Sequence, residues 1–246
     1  MHVKDQIVVI TGASSGIGKA TAIKLAKLGA KVMLGARRAT ELQSIVAQIE
    51  KNGGVAQYRV TDVTKFEDVR QLVNAAKKVF GRVDVLYCNA GVMPVATIDS
   101  LSIDEINAMV DINIKGVLHG IKAVLPTFHE QGSGHLIATA SNSAHVINSR
   151  FAVYAATKFA VRAIMDGLRQ EEIGNHIRST IISPGAVNTN LYKTSSDPTT
   201  RAELQQVERD RGINPDTIAD AVVYAMTQPD NIGVNEVLLR EIQQDD

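Results

Sequence analysis

The sequence has no tryptophan, a single cysteine and few aromatic residues, which make up 4% of its 246 positions. One thiol, Cys88, excludes an internal disulfide framework and suits a reducing compartment. Neither sign of charge dominates: Lys and Arg total 26, as do Asp and Glu, and there is no basic block or stripe. That balance argues against a nucleic-acid partner and against an anionic membrane surface. No apolar run approaches the roughly 20 residues needed to cross a bilayer. Met1-His2-Val3-Lys4-Asp5 runs into a strand-like segment without a signal-peptide pattern, so the chain is expected to be soluble and cytoplasmic. His119, His129, His135 and His176 show no clustered spacing with Cys or acids, and no metal is expected. Repeats, low-complexity tracts and linkers are missing too, which leaves one domain across residues 1–246.

What the chain does have is a regular alternation. Ile7 to Thr11 is an apolar run of the kind expected for a strand buried on both faces of a parallel sheet. A glycine-rich turn follows, then helical spacing from Lys19 to Leu28 closed by Gly29, then a strand from Lys31 to Leu34. Further strands are expected at Val55–Val60, Val83–Cys88, Gly134–Ala140, Arg178–Ser183 and Asn235–Leu239. Helices are expected at Lys65–Phe80, Ser102–Glu130 with a break near Val110, Phe151–Ile173 and Asp216–Gln228. Asn190 to Asn214 is polar and carries no strand signal. About seven strands alternating with helices predict an α/β fold, a Rossmann-like doubly wound parallel sheet with helices on both faces.

Gly12-Ala13-Ser14-Ser15-Gly16-Ile17-Gly18 sits where the first strand meets the first helix. Backbone N–H groups there face outward, the helix dipole favours an anion, and the missing side chains permit close approach. A P-loop reading fails, because Ala13 stands where its first Gly belongs and Ala20 where its hydroxyl belongs. Dinucleotide binding fits the strand-turn-helix context better than a merely structural turn. About twenty residues further on, an acid would bind the adenine-ribose hydroxyls of NAD. Here the segment reads Gly35-Ala36-Arg37-Arg38, with two guanidiniums able to clamp a 2′-phosphate and no carboxylate to repel it. The expected cofactor is NADP.

Tyr154 and Lys158 lie four positions apart, one turn apart on one helical face. A free phenol titrates near ~10, and lowering it to about 7 takes roughly 4 kcal/mol. An ammonium about 4–5 Å away supplies roughly 3–4 kcal/mol at an effective dielectric near 20. Tyr154 is therefore expected to exchange a proton with a carbonyl or alcohol oxygen, tuned by Lys158, with Ser141 holding that oxygen.

Together these residues resemble the short-chain dehydrogenase/reductase family over nearly the whole chain. Thr11-Gly12-x-x-x-Gly16-x-Gly18 resembles its glycine motif, Asp62-Val63 its adenine-contacting pair, and Asn89-Ala90-Gly91 the motif after its fourth strand. Asn113 with Gly116 resembles its Asn-x-x-Gly, and Ser141, Tyr154 and Lys158 its Ser…Tyr-x-x-x-Lys, with Tyr thirteen positions after Ser. Pro184-Gly185 with Val187 and Thr189 resembles the loop that receives the nicotinamide carboxamide. The resemblance implies that Ser141 holds the substrate oxygen, Tyr154 moves the proton, Lys158 lowers the Tyr pKa and binds the nicotinamide ribose, and Asn113 supports a water path. It implies an NADP-dependent oxidoreductase acting on a small carbonyl/alcohol pair, commonly a homotetramer or dimer. The rivals are an epimerase or dehydratase that retains its nucleotide, and a module that binds NADP without chemistry.

Three departures stand out. Cys88 replaces the first Asn of the usual Asn-Asn-Ala-Gly, Ala138 to Ser143 is more polar than usual, and His145 stands where a small residue is common. His145 either lines the substrate pocket or caps a loop. Arg150 either meets a substrate carboxylate or is an exposed residue at a helix start. The polar stretch 190–214 is where a substrate lid is expected, and its charges favour a small polar substrate. The segment Gln228-Pro229-Asp230 through Val234-Asn235-Glu236-Val237 resembles members that act on 3-hydroxy acids and similar small alcohols.

Overall fold

A strand that is apolar on both faces can be hidden only between two helical layers. That is the architecture of the computed structural model, which describes residues 3–244. Met1 and His2, at the start of the N-terminal segment read above, lie outside the described residues, as do Asp245 and Asp246. Seven parallel strands, β1 (Ile7–Thr11), β2 (Lys31–Ala36), β3 (Val55–Val60), β4 (Val85–Cys88), β5 (Gly134–Thr139), β6 (Ile177–Pro184) and β7 (Glu236–Leu239), form one sheet in the order β3-β2-β1-β4-β5-β6-β7. Strand order reverses between β1 and β4, and a crevice opens there at the carboxyl ends of the strands.

Alternate residues of each central strand feed the two layers. Val8, Ile10, Val32 and Leu34 pack under α1 (Gly16–Lys27), α2 (Ala39–Lys51) and α8 (Pro215–Thr227). Ile7, Val9, Met33 and Leu86 pack under α3 (Phe66–Phe80), α5 (Gly116–Gln131) and α6 (Ala152–Glu171). The helix α2 was not delimited from sequence, although its buried Leu42, Ile45, Val46 and Ile49 follow a helical period.

Three boundaries differ in ways that matter for the crevice. The first helix begins at Gly16 rather than Lys19, so the glycine turn supplies the first turn of α1. The expected break near Val110 is a π-helical turn, Val110–Lys115, which joins α4 (Ile103–Met109) to α5 without interrupting the helix. Ser102 and Glu105 start α4 with a reciprocal capping box. The polar stretch contains a helix, α7 (Pro198–Arg211), capped by the Asp197 carboxylate on the Thr200 amide at 2.6 Å. It buries only Thr200 and Glu208, so it gives no apolar period in sequence.

Phe128 is fully buried in α5, its ring lying where a Cβ on Gly134 would come within 2.1 Å. Phe128→Ala is expected to destabilise the fold by about 3–5 kcal/mol, read as a lower denaturation midpoint in urea. Ile242→Ala, at a 95% exposed position, should leave that midpoint unchanged.

Candidate active site

The crevice begins at the glycine turn. Gly12 and Gly16 have φ of 65° and 53°, in the left-handed region. A Cβ on Gly12 would stand 2.7 Å from the Ala90 Cα, and one on Gly18 would stand 2.6 Å from the Asn89 Nδ2. Asn89 stitches the two strand ends together, its side chain donating to the Thr11 and Gly12 carbonyls at 3.2 and 3.3 Å. At the start of α1, Ser15 makes no side-chain cap and no acid sits in the first turn. The first amides of α1 therefore keep their donors for an outside anion.

The two arginines divide their work. Arg38 is folded onto the turn, donating to Ser14 Oγ at 2.9 Å and Ser15 Oγ at 2.8 Å. Arg37 lines the cleft and makes no hydrogen bond or ion pair among the described residues, although its charge acts on Asp62. Burial pushes the Asp62 carboxyl up, but the Thr64 amide and hydroxyl, with Arg37 and Lys65, hold it below its ordinary value.

At the other end α6 carries Tyr154 and Lys158. Tyr154 is 5% exposed, its ring clustered with Leu101 and Met109, and Lys158 is 4% exposed. The Lys158 ammonium donates to the Thr139 carbonyl at 2.8 Å, lies 5.6 Å from the centre of the Tyr154 ring, and has no carboxylate partner among the described residues. An ammonium has three donors, so this buried group has capacity left for a polar ligand. Burial pulls Lys158 down to about 8. Burial also raises Tyr154 to about 12, against the opposing pull of its hydrogen bond with Ser141. The expected lowering of the phenol by Lys158 is therefore corrected. Desolvation decides the shift, and a phenol near 12 stays protonated at neutral pH.

Asn113 and Gly18 stand behind the cleft wall rather than in it. The π-helical turn carries Asn113, 1% exposed, whose amide donates to the Val92 carbonyl at 2.9 Å and to Thr157 Oγ1 at 3.1 Å. Thr157 in turn donates to the Tyr154 carbonyl at 2.7 Å. The other expected residues line one cleft of about 900 Å3: Gly12, Ser14, Ser15, Gly16, Ile17, Arg37, Arg38, Asp62, Val63, Asn89, Ala90, Gly91, Ser141, Tyr154, Lys158, Pro184, Gly185, Val187 and Thr189. That volume lies near the upper end for small-molecule and cofactor sites.

Several residues find their place only in three dimensions. His145 does not line the cleft. Its Nε2 pairs with Glu236 at 2.6 Å, and Ser183 donates to the same carboxylate. Arg150 lines the cleft at a left-handed φ of 72°, a costly conformation for a non-glycine residue. Its guanidinium is already bound to Glu203 at 2.9 Å and to Thr200 on α7. Cys88 packs its sulfur where a Cβ on Gly120 would come within 2.5 Å, and burial raises its thiol to about 12, an inert packing group. Glu208 and Gln244 also line the cleft. The Gln244 Oε1 accepts the Ala186 amide at 3.3 Å, and no motif pointed to either residue. Among the described residues, no group of three His, Cys, Asp or Glu side chains is placed to hold a metal, and no helix is long and apolar enough to cross a membrane.

A glycine turn at a strand-order reversal, with a buried Tyr and Lys at the far end of the same cleft, defines a nicotinamide-dependent oxidoreductase on a Rossmann-type sheet. The chain belongs to the short chain dehydrogenase family, whose model matches residues 6–200. It is 48% identical over 238 residues to an uncharacterized oxidoreductase of Listeria monocytogenes, covering 96% of each chain. It superposes on an alcohol dehydrogenase from Thermococcus sibiricus complexed with 5-hydroxy-NADP, with a TM-score of 0.88, 31% identity and 99% of each chain covered. A 3-ketoacyl-(acyl-carrier-protein) reductase from Brucella melitensis complexed with NADH matches with a TM-score of 0.86 and 27% identity, over 98% of this chain and 99% of that one.

Lys158 gives a pH signature of its own. Between about pH 8 and its ordinary 10.5 the unfolded chain holds the proton and the folded chain does not, so stability rises with pH across that window. Relative to Lys158→Met, the wild-type chain is expected to gain about 3 kcal/mol of unfolding free energy over this range, at about 1.4 kcal/mol per pKa unit. Paired urea titrations at several pH values measure it, and parallel stability curves would contradict it.

Proposed function

We propose that this protein is an NADP-dependent reductase of a small carbonyl compound, with Tyr154 as the proton donor, working as a homo-oligomer in the cytoplasm. The observation that carries this reading is the buried Lys158, unpaired with any carboxylate among the described residues, beside a buried, protonated Tyr154 in a cleft that starts at the glycine turn. The chain is read as one domain, with residues 190–214 as its substrate lid.

The residues present fit the cofactor. Uncapped amides of α1 and the close-packed glycines suit a diphosphate, and Arg37 suits a 2′-phosphate. Asp62 and Val63 suit the adenine, Lys158 the nicotinamide ribose, and the loop from Pro184 to Thr189 the carboxamide. Bound there, a nicotinamide would supply hydride chemistry at the carbonyl or carbinol carbon. The chain's own part is the proton. Ser141 and Tyr154 are joined by a hydrogen bond, and both present hydroxyls to a carbonyl oxygen entering between them. Tyr154 gives its proton as charge develops on that oxygen, because an alkoxide is a stronger base than a phenolate even of pKa about 12. Lys158 stabilises the phenolate left behind, and Asn113 fixes the α6 turn through Thr157. The lid places Lys193 and Glu203 beside Leu191, Leu204 and Val207 in the cleft, a lining that suits a small substrate with a polar group, such as a 3-hydroxy acid and its keto partner.

An absorbance screen at the reduced-nicotinamide band against small ketones, semialdehydes and hydroxy acids tests the reading. Net oxidation of the cofactor supports it, and turnover without cofactor consumption would point to nucleotide-retaining chemistry instead. Tyr154→Phe should lower kcat by at least about a hundredfold, the usual contribution of a positioned acid, while cofactor affinity stays nearly intact. Arg37→Ala should raise Kd for NADP by about tenfold to a hundredfold, as expected for a lost charged hydrogen bond, and leave Kd for NAD almost unchanged. Equal losses for the two cofactors would show that Arg37 does not read the phosphate.

A further inference from the structure

Behind the cofactor-facing loop lies a buried acid that the mechanism does not use. Glu208, 8% exposed, reaches from α7 to the segment after β6. Its Oε2 accepts the Thr189 amide at 2.9 Å, and the carboxyl also accepts the Tyr192 amide. The Thr189 methyl sits 3.1 Å from where a Cβ on Gly16 would stand, so Thr189 abuts the glycine turn itself. Past the end of α7 the backbone repeats the join: Ile213 donates to the Ala186 carbonyl and Asn188 to the Ile213 carbonyl, each at 2.9 Å. One carboxyl thus meets the lid helix, the loop and, through Thr189, the anion-ready turn.

We propose that Glu208 is a positioning residue: by accepting the Thr189 and Tyr192 amides it holds Thr189 against the glycine turn and couples closure of α7 to retention of the cofactor. The coupling to cofactor rests on the nicotinamide reading above, whereas the joint itself does not. Without an acceptor at 208, two amides behind the loop lose their partner. A neutral acceptor of the same shape keeps at least one of them satisfied, so the role needs an acceptor rather than a charge.

Charge sets the pH dependence. Burial raises Glu208 to about 7, only partly offset by the two amides. The cleft-lining charges on the elements around it are Lys193 on the loop, Arg211 and Glu203 on its own helix, and Arg150, which is paired with Glu203. None of them contributes to its shift. A carboxyl raised in the closed state favours closure when protonated. Closure is therefore fully favoured below the ordinary 4.5 and weakens as pH rises toward about 7. A bound diphosphate would push in the same direction, because a nearby anion also favours the protonated acid.

Two measurements on the full chain test this. The first is amide hydrogen exchange at Thr189 and Tyr192 without cofactor. Glu208→Ala should speed exchange at both by at least about tenfold, the loss of one buried hydrogen bond, and equal rates in the two proteins overturn the joint. The second is NADPH affinity, followed by nucleotide fluorescence from pH 5.5 to 7.5. The wild-type chain should lose affinity by about tenfold across that range, and Glu208→Gln should flatten the dependence. The same slope in both proteins overturns the coupling. If the wild-type chain binds no NADPH at any pH, the cofactor reading fails, and the exchange rates alone decide the joint.

Discussion

The site depends on one costly placement: an ammonium taken out of water with no carboxylate among the described residues to meet it. Lys158 is nearly fully buried, and the Thr139 carbonyl alone does not offset its desolvation, which is why its pKa falls to about 8. The ammonium is held there by the rest of α6, whose Val161, Met165 and Leu168 are anchored under the sheet. Stability taken from the apolar layers thus supports a group that lowers stability where it stands, a pattern typical of sites built for a ligand.

The supporting shell explains how the placement stays rigid. The π-helical turn buries Asn113 between Val92 and Thr157, and Thr157 bonds the Tyr154 carbonyl. Leu101 and Met109 close over the Tyr154 ring. Segments from three regions of the chain therefore fix one phenol, and a side chain held in this way loses little entropy when it meets a substrate. The same enclosure raises the phenol to about 12. Rigidity and a high pKa have a single cause, which is burial.

Legibility in the sequence followed the range of the interaction that set each feature. The central strands were readable because both their faces are covered, and burial on both faces leaves apolar runs such as Ile7 to Ile10. The glycine turn, Arg37 and the Tyr154–Lys158 pair were readable because turn chemistry and helical period are local. The phenol's pKa was misjudged because Leu101 and Met109 lie far back in the chain, and only the fold brings them over the ring. His145 turned away from the substrate end for a similar reason: its partner, Glu236, is 91 residues distant. Glu208 and Gln244 carried no signal at all, since a polar residue that caps a remote loop looks like any other surface residue.

The helix α7 shows where the fold is least self-sufficient. Its two buried residues, Thr200 and Glu208, are both polar, and each bonds a segment outside the helix. Its apolar Leu204 and Val207 face the cleft instead of the core, and Val207 is 47% exposed. A helix held by a few polar ties, without an apolar anchor in either layer, belongs to the low-stability end of the molecule. The apolar surface of Leu204 and Val207 is turned toward the cleft, where a ligand would cover it. A ligand that buried this surface would add to the few ties that hold α7.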